Sequence, residues 1–158
     1  MAAVPSASAT GPTFDDVFAR EYAGMVRLAY LMVGTTAAAE DVVQEAFARL
    51  LGKWDRADNP GAYVRTAVMN GARDKLRQRL RRAGPQPPRL RGEQVTDPVD
   101  YLGDALATLP YAWRAVVVLR FFEQRTIPEI ADLLHMKEGT VKSALHRGLL
   151  RLREVIEP

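Results

Sequence analysis

A short segment, residues 126–147, carries the side chains of this chain that are best suited to hydrogen-bond chemistry. In its second half Thr140, Ser143 and Arg147 stand at positions i, i+3 and i+7, so a helix would place them on one face. Serine and threonine hydroxyls can donate to a phosphate or to a base edge, and an arginine can donate to guanine through two hydrogen bonds. The candidate DNA-binding face consists of Thr140, Lys142, Ser143, His146, Arg147 and Arg151.

The residues around this face predict two helices joined by a tight turn. Thr126 and Glu129 have the spacing of a capping box, in which each side chain accepts a hydrogen bond from the other residue's backbone N–H. The second helix, over 138–153, would pack through an apolar series: Val141, Leu145, Leu149 and Leu152. This pattern is typical of a helix-turn-helix whose second helix enters the major groove. An ordinary helical hairpin with a charged exterior is the alternative.

A second candidate surface is a dense basic segment, residues 73–91. It holds eight Arg or Lys residues and a single acid, Asp74, whereas residues 93–104 hold four acids and no base. The net charge of the whole chain is only +3, so the distribution matters more than the total. Such a concentration of positive charge indicates a polyanionic partner. The alternative is a solvated helix face followed by a solvated linker.

The apolar spacing along the chain predicts an all-α fold in two small helical domains. Helices are predicted over 14–33, 37–53, 60–82, 99–108, 111–124, 127–134 and 138–156, with Thr13, Thr36 and Asn59 as N-caps of the first three. Residues 83–98 contain four prolines and two glycines, which predicts a linker. The predicted organisation is therefore a flexible tail over 1–12, a domain over 13–82, the linker over 83–98 and a domain over 99–158.

Composition narrows the classes of function. The chain has no cysteine and two histidines, so neither a disulfide framework nor a thiolate metal site is expected. No nucleophile–base pair, metal-ligand cluster or phosphate-binding glycine loop is recognisable, so we expect a protein that is not an enzyme and needs no cofactor or metal. The first residues lack the basic start and the apolar stretch of a secretory signal, and we expect a cytoplasmic protein.

The helix-turn-helix segment resembles a known family. The stretch PEIADLLHMKEGTVKSALHRGLLRLRE, preceded by LPYAWRAVVVLRFF, is similar to the C-terminal domain of RNA polymerase sigma factors of the extracytoplasmic-function (ECF) type in the sigma-70 family. The N-terminal part is also similar. AEDVVQEAFARL resembles the helix of the family's region 2, and NPGAYVRTAVMNGARDKLRQRLRR resembles its promoter-melting helix. The match covers about 14–82 and 100–156, in the family's order.

The resemblance implies roles for both surfaces. The helix over 138–153 would read the −35 element of a promoter as duplex DNA. The N-terminal domain would recognise and melt the −10 element through Tyr63, Arg65, Asn70, Arg73, Lys75 and Arg77. Asn70 stands where the family contacts an extruded base, and the loop 54–59 would help form its pocket. For Trp54 core packing is the favoured interpretation. Arg77, Arg79, Arg81 and Arg82 are expected to meet phosphates.

The resemblance also implies protein partners. Core RNA polymerase would bind through its β′ coiled coil and its β flap, and an anti-sigma factor is a possible further partner. The residues expected to face the polymerase are Glu40, Asp41, Gln44, Glu45 and Phe47. No membrane insertion is expected.

The chain departs from the family pattern at three positions. His135 stands in the turn where a glycine is common, Lys137 replaces a serine cap, and Ala144 stands where an arginine is frequent. His135 must adopt a left-handed backbone conformation, and losing the cap at Lys137 would cost about 0.5–2 kcal/mol. The alanine would remove one expected DNA contact. Two other classes of function stay open here: a stand-alone helix-turn-helix regulator and a helical adaptor that binds only protein.

Overall fold

The computed structural model of the chain describes residues 11–83 and 98–157. Seven α-helices run through this part: α1 (Phe14–Val33), α2 (Thr36–Gly52), α3 (Pro60–Ala83), α4 (Pro98–Ala107), α5 (Tyr111–Phe121), α6 (Ile127–Leu134) and α7 (Glu138–Ile156). A single 3-10 turn, Trp54–Arg56, joins α2 to α3, and the described residues contain no strand. The all-α prediction is confirmed. The tail up to residue 10 and the linker over 84–97 lie outside the described residues.

Short-range hydrogen bonds set where the N-terminal helices begin and end. The Thr13 hydroxyl accepts from the Asp16 N–H and the Asp16 carboxylate accepts from the Thr13 N–H, so α1 opens with a capping box. These bonds to Thr13 lower the pKa of Asp16. Gly34 ends α1 at φ 84°, a conformation in which a side chain would be strained. The N-cap of α2 is Thr35, one residue before the predicted Thr36.

The C-terminal helices differ from the prediction chiefly at the end of α5. That helix stops at Phe121, three residues earlier than predicted, because the chain turns back on itself. Gln124 takes a positive φ of 52°, and the Arg125 N–H donates to the Leu119 carbonyl at 2.9 Å. The turn brings Glu123 to the side of α5 that faces the N-terminal helices, where it meets Arg65.

The first three helices pack against one another and form the N-terminal lobe, residues 13–83. Its core includes Met25, Leu28 and Met32 from α1 with Val64 and Val68 from α3, each no more than 2% exposed. Helices α2 and α3 approach closely at Gly71, where a Cβ would lie 3.0 Å from a Val42 methyl group. A side chain at 71 would therefore require the Val42 side chain to shift by a few tenths of an ångström.

The last four helices form the C-terminal lobe, residues 98–157, and this lobe packs on the first. Within it α7 crosses α5 and α6. Gly148 of α7 sits against Val117 of α5, so closely that a Cβ would lie 2.8 Å from the valine Cγ2. Helix α1 also contacts α4 and α5, and α3 contacts α5. Buried apolar residues of both lobes belong to one continuous cluster.

Candidate nucleic-acid interface

The helix-turn-helix begins with the expected capping box. The Thr126 hydroxyl accepts from the Glu129 N–H at 3.3 Å, and the Glu129 carboxylate accepts from the Thr126 N–H at 3.2 Å. Arg125 donates to the same carboxylate at 3.2 Å. These interactions, the hydrogen bonds with Thr126 first among them, lower the pKa of Glu129. The predicted start of α6 is confirmed.

The turn between α6 and α7 accommodates both departures from the family pattern that were expected there. His135 adopts the left-handed conformation, with φ 54° and ψ 45°, and the Met136 N–H donates to the Ala131 carbonyl at 2.9 Å. Lys137 has the extended backbone of an N-cap, but its side chain makes no capping hydrogen bond. The N-terminus of α7 therefore lacks the side-chain acceptor that a serine would provide.

All six candidate side chains of α7 are exposed on the outer side of the C-terminal lobe. They are Thr140, Lys142, Ser143, His146, Arg147 and Arg151. Arg151 also pairs with Glu154 across one turn of the helix, with 3.2 Å between the charged atoms, and its side chain is still 51% exposed. An exposed pair of this kind is weak and leaves the guanidinium able to meet a phosphate. The structure thus brings the predicted set together on one accessible helix.

The buried side of α7 differs from the predicted apolar series. It consists of Val141, Ala144, Gly148 and Leu152, whereas Leu145 is half-buried and Leu149 is 40% exposed. Ala144 faces the protein at 4% exposure, so position 144 offers no DNA contact in this structure. The effect of this alanine on −35 recognition stays a prediction. Sequence periodicity pointed to the large leucines, but the close crossing of α5 and α7 requires small residues.

The six candidate side chains of α3 do not share one face. Tyr63, Asn70 and Arg77 stand seven residues apart, which is close to two helical turns, so they follow one stripe along the helix. Asn70 and Arg77 are exposed, and Tyr63 is half-buried. The Lys53 ammonium lies 5.8 Å from the centre of the Tyr63 ring. This stripe combines an aromatic ring, an amide and cations, as a single-strand binding surface requires.

Two other cations of α3 face the C-terminal lobe. Arg65 donates from Nε to a Glu123 carboxylate oxygen at 2.8 Å, and the two side chains are only 13% and 16% exposed. One turn further, the Tyr111 hydroxyl donates to the Met69 carbonyl at 3.0 Å. Burial raises the pKa of Tyr111 to about 12, and the positive charge of Arg73 opposes that rise. Arg65 is therefore not free in this structure to contact DNA.

Other basic residues of α3 have partners within the N-terminal lobe. The Lys75 ammonium lies 3.8 Å from the Asp41 carboxylate on α2, which places it away from the Tyr63–Arg77 stripe. Arg79 donates to the Val33 carbonyl, so it supplies a hydrogen-bond donor to a carbonyl at the C-terminus of α1 in addition to any phosphate contact. Helical rotation turns Lys75 toward α2, and its assignment to the −10 element stays a prediction.

The acidic side of α2 is accessible, but Phe47, which was also predicted to face the polymerase, is buried. Glu40, Asp41, Gln44 and Glu45 are exposed. Phe47 is 2% exposed and lies within an aromatic cluster, with its ring 4.9 Å from that of Phe18 and 6.3 Å from that of Phe14. Phe47 therefore supports the surface from beneath and is not a contact residue. Trp54 packs edge-on against Phe14 at 5.8 Å, which confirms the core interpretation of that ring.

No group of three or more potential metal ligands occurs among residues 11–83 and 98–157. No helix in that same part of the chain is long and apolar enough to cross a bilayer.

Family models match both lobes. The model described as sigma-70 region 2 matches residues 17–82, and the model described as sigma-70, region 4 matches residues 100–152. The chain is 37% identical to the RNA polymerase sigma-E factor of Streptomyces antibioticus over 152 residues, which cover 91% of this chain and 84% of that protein. It is 32% identical to the ECF sigma factor SigL of Mycobacterium tuberculosis, covering 99% and 97% respectively.

Solved structures share the arrangement of the helices. The sigma factor RpoE of Bartonella quintana, crystallised with the anti-sigma factor NepR, superposes with a TM-score of 0.72 at 20% identity, over 91% of this chain and 96% of that one. CnrH, in complex with the cytosolic domain of CnrY, gives a TM-score of 0.66 at 20% identity, over 91% and 87%. The family models, the relatives and the fold agree: this chain belongs to the ECF sigma factors of the sigma-70 family, which direct RNA polymerase to specific promoters.

Proposed function

We propose that the two lobes divide promoter recognition, with α7 reading the −35 element as duplex and α3 holding the −10 element as a single strand. The observation that carries this assignment is the exposed face of α7, where six donors and cations stand together on the outer side of a helix-turn-helix. A major groove admits one helix, and good bidentate contacts give about 1–3 kcal/mol of discrimination per base pair. Within this face Arg147 is assigned to a base edge, and Arg151 to phosphate.

The stripe of α3 formed by Tyr63, Asn70 and Arg77 supports the second half of the proposal. A stacked base hides most of its edge, so a protein that binds an unstacked base favours the opened strand. The Asn70 amide can donate to and accept from such a base, Tyr63 offers a ring for stacking, and Arg77 can follow the backbone. The loop 54–59 lies next to the start of α3, where it can border this pocket.

The acidic side of α2 is assigned to core RNA polymerase. Glu40, Asp41, Gln44 and Glu45 would repel DNA, so this face requires a protein partner with positive charge. Complementary charge of this kind speeds association and sets orientation. The proposed partner surface is the β′ coiled coil, with the β flap contacting the C-terminal lobe. An anti-sigma protein is a further proposed partner, since the similar structure of RpoE is a complex with the anti-sigma factor NepR.

The proposed role is regulatory and takes place in the cytoplasm, where the polymerase acts. It is not enzymatic, since the lobes supply binding surfaces and the polymerase supplies the chemistry. A stand-alone helix-turn-helix regulator would leave the N-terminal lobe without a role, although the region 2 model matches nearly all of that lobe.

Reconstitution with core polymerase tests the −35 assignment. The purified chain is combined with core enzyme, and run-off transcription and footprinting are measured on a promoter selected from genomic fragments. We expect Arg147→Ala to reduce transcription about tenfold, because one base contact of about 1–2 kcal/mol is lost. The matched control is Arg153→Ala, also on α7, whose guanidinium pairs with Glu157. An unchanged −35 footprint with Arg147→Ala would contradict the assignment.

A parallel measurement tests the −10 assignment. Permanganate detects unpaired thymines in the opened promoter complex. Asn70→Ala is expected to reduce the reactive signal, while Gln78→Ala, exposed on the same helix outside the stripe, is expected to preserve it. Equal opening by both variants would remove Asn70 from the proposed pocket.

A further inference from the structure

A mostly apolar cleft follows α1 where the two lobes meet, and its volume is about 530 Å³. Sites for small molecules commonly have volumes of about 300–1,000 Å³. The N-terminal lobe contributes Val26, Tyr30 and Leu31 of α1 to the lining. The C-terminal lobe contributes Leu102 of α4 and Phe122, which follows the end of α5. The cleft is therefore large enough for a small ligand, and it has walls from both lobes.

Several apolar side chains of this cleft remain in contact with solvent. Leu28 is buried at 2% exposure, whereas Phe122 is 47% exposed, and Val26, Tyr30 and Leu102 are half-buried. Removing apolar surface from water is favourable, roughly in proportion to the area removed. An apolar group that occupied the cleft would therefore gain binding free energy from these side chains.

A glycine leaves room at one end of the cleft. Gly24 lies in the interior of α1, where glycine is less favourable for a helix than alanine. At Gly148 the small residue permits the close approach of two helices, because a Cβ there would meet Val117 at 2.8 Å. At Gly24 the nearest atom to a Cβ would be a guanidinium nitrogen of Arg27, at 3.9 Å. No such close packing accounts for Gly24, and its missing side chain keeps the cleft open.

Arg27 supplies a positive charge without a partner at the same end of the cleft. Its guanidinium lies over Gly24 and is exposed, and it has no ion pair or hydrogen bond within the part of the chain that the structure describes. The other charged member of the lining is Glu123, which pairs with Arg65 at 2.8 Å and lies 4.0 Å from Arg125. An arginine binds a carboxylate well through two parallel hydrogen bonds. The polar end of an occupant is therefore expected to be an anion.

We propose that this cleft is a binding site for a small amphipathic carboxylic acid, of the class of medium-chain fatty acids. The acyl chain lies against Tyr30, Leu102 and Phe122, and the carboxylate pairs with Arg27. Because such a ligand contacts both lobes, its binding free energy adds to the stability of their contact. This site is separate from the surfaces assigned to the −35 and −10 elements, so the proposal does not depend on those assignments.

Calorimetric titration of the full-length chain with fatty acids tests the chemical class of the ligand. Sodium decanoate, below its micelle concentration, is expected to bind one to one. Octanoate and then hexanoate are expected to bind about tenfold more weakly at each step, because each buried methylene contributes up to about fourfold. Arg27→Gln is expected to lower the affinity for decanoate about fivefold and to leave the affinity for decanol unchanged. The matched control is Arg20→Gln on the same helix, whose guanidinium pairs with Glu21.

Two pairs of variants test the walls of the cleft. Gly24→Leu places a side chain in the cleft and is expected to lower the affinity for decanoate and decanol at least about tenfold. It is expected not to lower the Tm, because leucine favours a helix more than glycine does. Ala23→Leu, exposed beside the cleft, is its control. Phe122→Ala is expected to lower the affinity about tenfold, whereas Phe121→Ala, 55% exposed and not part of the lining, stays within about twofold.

The outcomes decide between this ligand and other occupants. No saturable binding of decanoate overturns the proposal, and a cleft that accepts only a protein helix would give that result. Equal binding of decanoate and of decyltrimethylammonium, which has the same chain and the opposite charge, also overturns it. So does unchanged affinity in Gly24→Leu and Phe122→Ala proteins whose circular dichroism equals that of the wild type. Binding that depends on chain length, on Arg27 and on both walls supports it, as does a Tm that rises with decanoate concentration.

Discussion

Replacing Arg114 by methionine isolates the contribution of one buried guanidinium to the fold. Arg114 is 7% exposed and donates to three main-chain carbonyls, those of Met32, Ala107 and Leu109. Burial lowers its pKa to about 10, so the guanidinium is still charged at neutral pH. Its three bonds are therefore charge-assisted, and they connect the end of α1 with the α4–α5 corner.

The expected loss of stability follows from these contacts. Each buried carbonyl that loses its donor costs about 1 kcal/mol, which gives about 3 kcal/mol for three. Methionine keeps the apolar stem in place, and removal of a desolvated charge offsets part of the loss. We expect a net decrease of about 2–3 kcal/mol in the free energy of unfolding. For a chain of this size that corresponds to a decrease in Tm of about 5–10 °C.

Urea unfolding of the full-length chain, followed by circular dichroism, measures this change. The matched control is Arg120→Met on the same helix, since Arg120 is exposed and donates to a single carbonyl, that of Arg125. The control is expected to change stability by less than about 0.5 kcal/mol. If Arg114→Met and Arg120→Met unfold at the same urea concentration, the reasoning from buried carbonyls is refuted.

Three further predictions concern the helix-turn-helix. Gly148→Ala is expected to destabilise the chain by about 1–3 kcal/mol through overpacking against Val117, and Val117→Ala in the same protein to recover part of that loss; thermal unfolding measures both, and additive losses would contradict the contact. Lys137→Ser is expected to add about 0.5–1 kcal/mol to the free energy of unfolding by supplying the missing cap; urea unfolding measures this, and an unchanged midpoint would contradict it. The lowered pKa of Glu129 predicts stability that is present above about pH 4.3 and lost as pH falls through the folded-state pKa; carboxyl titration by NMR should show a midpoint below the ordinary value, and Glu129→Gln should remove this pH dependence.

Local chemistry allowed much of the fold to be predicted. The capping boxes at Thr13 and Thr126 depend on residues three apart, and the left-handed turn at His135 depends on its place between two helices. Such contacts involve residues that are close together in the chain, so they can be recognised from a single sequence. The predicted α5 was too long because the chain reverses direction at Gln124, and no local sequence motif indicates this turn.

The two candidate sites, on α7 and on α3, differ in how far the sequence predicted them. On α7 the spacing of Thr140 and Arg147 was enough to predict a shared exposed face. This helix lies at the edge of the lobe, so one of its sides is packed and the other is exposed. On α3 the same kind of spacing was insufficient. This helix meets α2 on one side and α5 on another, so Lys75 pairs with Asp41 while Arg65 is drawn to the C-terminal lobe.

The sequence alone determined the family, the all-α class and the face of α7, since each follows from residue types at short, regular intervals. Only the tertiary structure decided which cations stay free, that Phe47 is buried and that the lobes close on each other. The physical reason is distance along the chain. Arg65 and Glu123 are 58 residues apart, and Arg114 and Met32 are 82 apart, so their pairing depends on how whole helices pack.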